Sequence, residues 1–280
     1  MRIHKNLAIP GKHNKNIITD VFYKNNGTKK PVIIFCHGYK GFKDWGAWNL
    51  VAESFANQNL FFIKFNFSHN GGTLLQPIDF PDLQAFAENN YIKELDDLQV
   101  VIDWISSKNP NHSEIDMSNI TLIGHSRGGG IVAIKTSEEP RITKLVTWAG
   151  VSDYASRFPD EENLKKWKRT GVMYVENSRT KQQMPHHYQF YTNFKENEDR
   201  LTIKRAVEQI TIPYLIIHGT QDTTVDQKEA NTLHKWCPKS KLKLIEGTNH
   251  VFGAQHPWTK NKLPDDLQKV VSKTISFAIL

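Results

Sequence analysis

The sequence predicts an α/β fold, a mostly parallel central sheet flanked by helices. Short apolar runs alternate with amphipathic helical segments, the pattern of strand–helix–strand units. The middle runs are apolar almost without interruption, as in PVIIFCH (31–37) and PYLIIHG (213–219), which suits strands buried on both faces of a parallel sheet. The chain has 280 residues, 39% of them hydrophobic, enough for one large core carrying an insertion.

Each element follows from its own residues. Strands are expected at IITDVFY (17–23), PVIIFCH, FFIKFNF (61–67), ITLIGHS (120–126), KLVTWAG (144–150), PYLIIHG and LKLIEG (242–247). Helices fall between them. In WGAWNLVAESFANQ, Trp48, Val51, Ala52 and Phe55 share one face; in NNYIKELDDLQVVIDWISS, Ile92, Leu95, Ile102 and Ile105 do. Near the end, Pro264 fits a first helical turn, and Leu267, Val270, Val271 and Ile275 form the apolar stripe after it. The alternation breaks once. Residues 151–205 hold no run that reads as a buried strand, yet they are rich in charge and in aromatic side chains. A connection this long without sheet character marks a lid or an inserted helical cap. The expected division is a core of residues 1–150 and 206–280 and a lid of residues 151–205.

Bulk properties narrow the function. No apolar run reaches the length of a membrane span, and the N-terminal stretch lacks the apolar segment of a secretory signal. The chain holds two cysteines, Cys36 and Cys237, so no disulfide framework is expected, and a reducing cytoplasm fits best. The net charge of +7 comes from scattered lysines without an aromatic–basic motif. That argues against nucleic acid as a partner and leaves a mild preference for anionic small ligands. Monomer and homodimer both remain open.

The chemistry concentrates at Gly124-His125-Ser126-Arg127-Gly128, which matches G-x-S-x-G between a strand and a helix. Small residues flank the serine because the strand-to-helix turn is crowded. That turn lifts the hydroxyl above the sheet edge, where the helix N-terminus favours negative charge. A serine hydroxyl needs a base to become a nucleophile. GTNHVFG places His250 just past a strand, and HGTQD places Asp222 just past another. The chain order Ser126, Asp222, His250 is the order of an elbow-type triad. In an open parallel sheet, strand ends share the edge where ligands bind.

Rival assignments exist. Asp153 and Asp226 compete with Asp222, though Asp226 better suits a helix cap. His256 competes with His250 but precedes a proline and lies farther from the strand end. His37 suits a structural role, and His125 a packing or pocket position. His186 and His187 lack a third ligand at metal spacing, so no metal is expected. The loop FSHNGG lacks the lysine of a phosphate-binding loop and is expected at a pocket rim.

With HGYKG, GHSRGG, HGTQD and GTNHVF in these places, the chain resembles the α/β-hydrolase family, in its serine esterase branch. The stretches FNFSHNGG and NNYIKELDDLQVVIDWI resemble those of bacterial cinnamoyl and feruloyl esterases and of acylaminoacyl-peptidase-like hydrolases. Dienelactone hydrolases share the core but use a cysteine nucleophile. The resemblance implies an α/β-hydrolase fold with a small helical lid after the sixth strand. It implies ester hydrolysis through Ser126, His250 and Asp222, with an acyl-enzyme intermediate and no cofactor. It assigns the oxyanion hole to the backbone N–H groups of Tyr39 and Arg127. His125, Trp167 and Tyr188 are the expected pocket residues, and the substrate is a small ester with an apolar or aromatic part. The alternatives are an acylaminoacyl-type peptidase or amidase, and a non-catalytic ligand-binding protein on the same fold.

Overall fold

A computed structural model describes residues 1–107 and 109–280. The chain opens with strands β1 (Arg2–Pro10), β2 (Asn16–Tyr23) and β3 (Lys30–Cys36), then helix α1 (Trp48–Asn57) and β4 (Phe61–Asn66). Helices α2 (Leu83–Ala87) and α3 (Tyr91–Ser107) lead to β5 (Ile115–His125), α4 (Arg127–Glu138) and β6 (Lys144–Trp148). Next come α5 (Glu161–Thr170), β7 (Val172–Glu176), β8 (Gln183–His187), α6 (Gln189–Glu196), α7 (Glu198–Leu201) and α8 (Ile203–Glu208). The chain ends with β9 (Tyr214–Gly219), α9 (Gln227–Trp236), β10 (Lys241–Ile245) and α10 (Asp265–Ile279).

The main sheet has eight strands in the order β1-β2-β4-β3-β5-β6-β9-β10. From β4 to β10 every neighbour pairs in parallel, while β1–β2 and β2–β4 are antiparallel. The apolar side chains of β3, β5 and β9 alternate between two cores. One packs under α3, α4 and α9, the other under α1 and α10. Because β4 lies on one side of β3 and β5 on the other, the loops leaving β3 and β5 diverge at one edge. That is the switch point where a crevice opens in a doubly wound sheet.

The strands expected at 17–23, 31–37, 61–67, 120–126, 144–150, 213–219 and 242–247 all form, within a residue or two at most ends. Two features differ from expectation. β1 was hidden because RIHKNLAIP is an exposed edge strand, with charged side chains rather than an apolar run. The segment after β6 is not purely helical. It contains the antiparallel hairpin β7–β8: β7 is partly exposed along its length, and β8, though it buries Met184, Pro185 and His186, is too polar to read as an apolar run.

A buried ionic quartet braces the loop after β3. Lys43 and Lys64 are fully buried, and each contacts both Asp20 and Asp44 at 2.5–2.9 Å. Each cation thus has two carboxylates and each carboxylate two cations, the pairing that a buried charge requires. The Lys43 amide also donates to Asn66 Oδ1 at 2.6 Å, tying that loop to the end of β4. Among the described residues, no helix is long and apolar enough to cross a membrane.

Candidate active site

Ser126 sits between the last residue of β5 and the first of α4, with φ 56° and ψ −122°. A non-glycine residue in that region is strained, and the surroundings over-determine it. Its amide donates to Trp148 O at 3.0 Å, and its carbonyl accepts from Gly129 and Val151 at 2.9 and 3.2 Å. The side chain makes no capping hydrogen bond to α4, which removes the helix-cap explanation of this serine. A Cβ at Gly128 would fall 2.5 Å from the Cys36 carbonyl oxygen and 2.6 Å from that of His37. The elbow therefore packs against the β3 loop through bare backbone. A Cβ at Gly38 would likewise fall 2.8 Å from Ser126 Cβ, so the loop carrying Tyr39 passes directly over the serine.

His250 and Asp222 meet from separate loops. The His250 Nδ1–H donates to Asp222 Oδ2 at 2.7 Å. Asp222 Oδ1 accepts the amides of Thr224 and Val225 at 2.8 and 2.9 Å. Burial alone would raise the Asp222 carboxyl. Hydrogen bonds from His218 and His250, and from the Val225 amide, outweigh it and hold the group well below the usual carboxylate range. His218, at the end of β9, is fully buried, with Nε2 3.3 Å from Asp222 Oδ2 and 2.8 Å from Val225 O. No sequence motif points to it. Its one signal is a histidine closing an apolar strand four residues before the acid.

The remaining sequence candidates fall into place around this pair. His125 Nε2 donates to the His250 carbonyl at 3.0 Å, and the two rings lie 4.8 Å apart. Burial pushes the His125 imidazole down to about 3, so it stays neutral. His37 turns its Nδ1 to Gly38 O at 2.9 Å inside its own loop. The rivals are used elsewhere. Asp226 caps α9 through the Lys228 amide at 2.8 Å, Asp153 accepts the amides of Ala155 and Ser156, and His256 accepts the Gly46 amide at 2.9 Å. His186 meets the Tyr39 hydroxyl at 2.7 Å. Among the described residues, no group of three His, Cys, Asp or Glu side chains is placed to hold a metal ion.

Two cavities meet at Ser126. The smaller, about 150 Å³, is lined by His250, His125, Trp45, Trp48 and the Gly38–Gly41 loop. The larger, about 350 Å³, lies between the sheet edge and the segment after β6. Tyr39, Tyr91, Tyr154, Trp167 and Phe190 form its aromatic walls. Trp167 stands where a pocket residue was expected, its Nε1 donating to His186 O at 2.8 Å. Tyr188 does not line either cavity. It precedes α6 at the N-cap position and packs against Trp167, ring centroids 5.6 Å apart and nearly perpendicular. Tyr39 and Arg127 line the larger cavity together with Ser126. The Arg127 N–H, at the first turn of α4, has no acceptor within the helix.

A family profile described as alpha/beta hydrolase fold matches residues 80–254. The chain belongs to the α/β-hydrolase fold family. The non-heme chloroperoxidase of Streptomyces lividans is 24% identical to it over 314 aligned positions, covering 91% of this chain and 97% of that one. The monoglyceride lipase of Rattus norvegicus is 31% identical over 78 residues, 27% of this chain and 26% of the relative. Among solved structures, Est1E from Butyrivibrio proteoclasticus with ferulic acid bound superposes with a TM-score of 0.70. That pair is 20% identical and covers 98% of both chains. Together these agree with the α/β-hydrolase fold of the chain.

Proposed function

We propose that this α/β-hydrolase is a serine esterase that cleaves carboxylic esters through Ser126, His250 and Asp222. The observation that carries the reading is the 2.7 Å bond from His250 Nδ1 to Asp222, with His250 and the strained Ser126 lining one cavity. In this reading His250 Nε2 takes the Ser126 proton while Oγ attacks the ester carbonyl. Asp222 fixes the tautomer and stabilises the imidazolium. The developing oxyanion is held by the Tyr39 and Arg127 amides. Each such donor is worth roughly 10²–10³ in rate. The alcohol leaves with the histidine's proton, and water, deprotonated by the same ring, releases the acid.

The two cavities divide the ester. The leaving oxygen must receive its proton from His250, and His250 lines only the smaller cavity. The alcohol therefore lies there, and the acyl group lies in the larger aromatic one. We read residues 151–205 as a lid that roofs the acyl side. Est1E was solved with an aromatic acid bound, and an aromatic or apolar acyl group suits the walls here. Rates on nitrophenyl esters and on aminoacyl naphthylamides, measured side by side, test the reading. Ester cleavage that is lost in Ser126→Ala supports it. Preferential amide cleavage points to the peptidase alternative, and no turnover of either points to a binding protein.

A further inference from the structure

The acyl cavity has a charged wall. Its lining includes Arg127 and Arg157 and no aspartate or glutamate. Arg157 is paired with Glu229. Arg127 is held differently. Its guanidinium lies 4.4 Å from the Tyr39 ring centroid, 5.3 Å from that of Tyr91 and 5.4 Å from that of Phe190. Such a cage fixes a planar cation in place. Its side-chain hydrogen bond is Nη1 to Glu94 Oε1, at 3.2 Å. That oxygen already accepts from Asn89 Nδ2 at 2.7 Å, while Glu94 Oε2 is buried without a partner.

An arginine serving only to neutralise Glu94 would set its fork on both carboxylate oxygens. Here a single nitrogen meets a single carboxylate oxygen. The Arg127 side chain is 14% exposed, and none of its nitrogens is among the buried polar atoms left unpaired. The N–H groups that Glu94 leaves free therefore keep some exposure, and the cavity beside Ser126 is one that Arg127 lines. Folding has already stripped the guanidinium of most of its water. A ligand anion therefore meets donors that need little further reorganisation.

We propose that Arg127 is a specificity-determining residue that receives a carboxylate on the acyl part of the substrate. The substrate class is then the monoesters of dicarboxylic acids. The acyl chain or ring lies on the aromatic walls, with its free carboxylate on the Arg127 fork. This assignment rests on the esterase reading above. The acyl C–O bond breaks, a water oxygen replaces the alkoxy group, the alcohol leaves with one proton, and the new carboxylic acid releases the other.

Matched esters test it. Monomethyl terephthalate and methyl 4-methylbenzoate differ only in carboxylate for methyl, and monoethyl adipate and ethyl hexanoate form a flexible pair. The wild-type ratio of kcat/KM, carboxylate over neutral, is expected to exceed one by roughly 10-fold in at least one pair, as a charge-assisted bond warrants. Arg127→Gln lowers that ratio by a similar factor. Glu94→Gln, which removes the anion behind the guanidinium, keeps or raises it. A wild-type ratio at or below one in both pairs overturns the proposal, and so does an equal fall in both variants. Binding of the same esters to the Ser126→Ala protein, followed by tryptophan fluorescence, separates this inference from the reading beneath it. Arg127-dependent binding of the carboxylate ester without any wild-type turnover sinks the esterase reading and leaves the anion site. Turnover of the neutral ester with no preference for the carboxylate sinks the anion site alone.

Discussion

The His250 ring is bound to Asp222 Oδ2 at 2.7 Å, and the same oxygen lies 3.3 Å from His218 Nε2. One carboxylate oxygen therefore faces two imidazoles, while the other is held by the Thr224 and Val225 amides. The arrangement keeps the acid ionised and aims His250 toward the cavity that it shares with Ser126.

Asp222→Asn keeps the shape and removes the charge. The account expects kcat on a nitrophenyl ester to fall by roughly 10³–10⁴-fold, because the asparagine no longer selects the correct His250 tautomer. Circular dichroism should show the fold retained. A loss smaller than roughly 10-fold in the folded variant contradicts the role given to Asp222.

Gly128→Ala tests the close packing of elbow and loop. The new methyl would sit 2.5 Å from the Cys36 carbonyl and 2.6 Å from that of His37, so the loop carrying Tyr39 must move off Ser126. A shift of about 1 Å at a reacting centre costs roughly 10² in rate. The fall should appear in kcat more than in KM, since the oxyanion contact exists only in the transition state. Unchanged kcat argues that Tyr39 does not serve the oxyanion.

Asp97 links pH to stability. It is fully buried on α3, with Oδ2 accepting the Ser68 amide at 2.7 Å and Oδ1 unpartnered. Burial, against the pull of the Ser68 hydrogen bonds, raises its carboxyl to about 7. The folded chain therefore holds a proton that the unfolded chain has lost above about pH 4. The stability this contributes is complete below that pH and is lost as pH rises through about 7. Asp97→Asn abolishes the titration. The gap in melting temperature between variant and wild type should shift in the variant's favour by roughly 5 °C between pH 4.5 and 8. Parallel curves across that range contradict it.

The sheet was legible because parallel strands buried on both faces must be apolar, and β3, β4, β5, β6 and β9 are. The elements without an apolar run are exposed or short. The edge strand β1 carries charge, β7 is partly exposed, β8 is a short polar strand interrupted by Pro185, and α2 is a helix of five residues. Of the site, Ser126, Asp222 and His250 could be named from strand ends and chain order. The loops of a parallel sheet bring such positions to one edge whatever their spacing. His218 and the Arg127 guanidinium could not be assigned, because their roles depend on contacts with Asp222, Tyr39, Tyr91 and Glu94 that no local pattern encodes. Tyr188 shows the reverse case. An aromatic residue in the segment after β6 can serve that segment's own packing, as Tyr188 does against Trp167, and sequence does not say which way it faces.

The central claim is that Ser126 is an activated nucleophile. A fluorophosphonate probe tests this most directly, read out as intact mass and then by mapping the modified peptide. The account predicts one adduct per chain, on Ser126, slowed by a competing ester and absent in Ser126→Ala. A wild-type protein that takes up no adduct, or one labelled equally after Ser126→Ala, would contradict it.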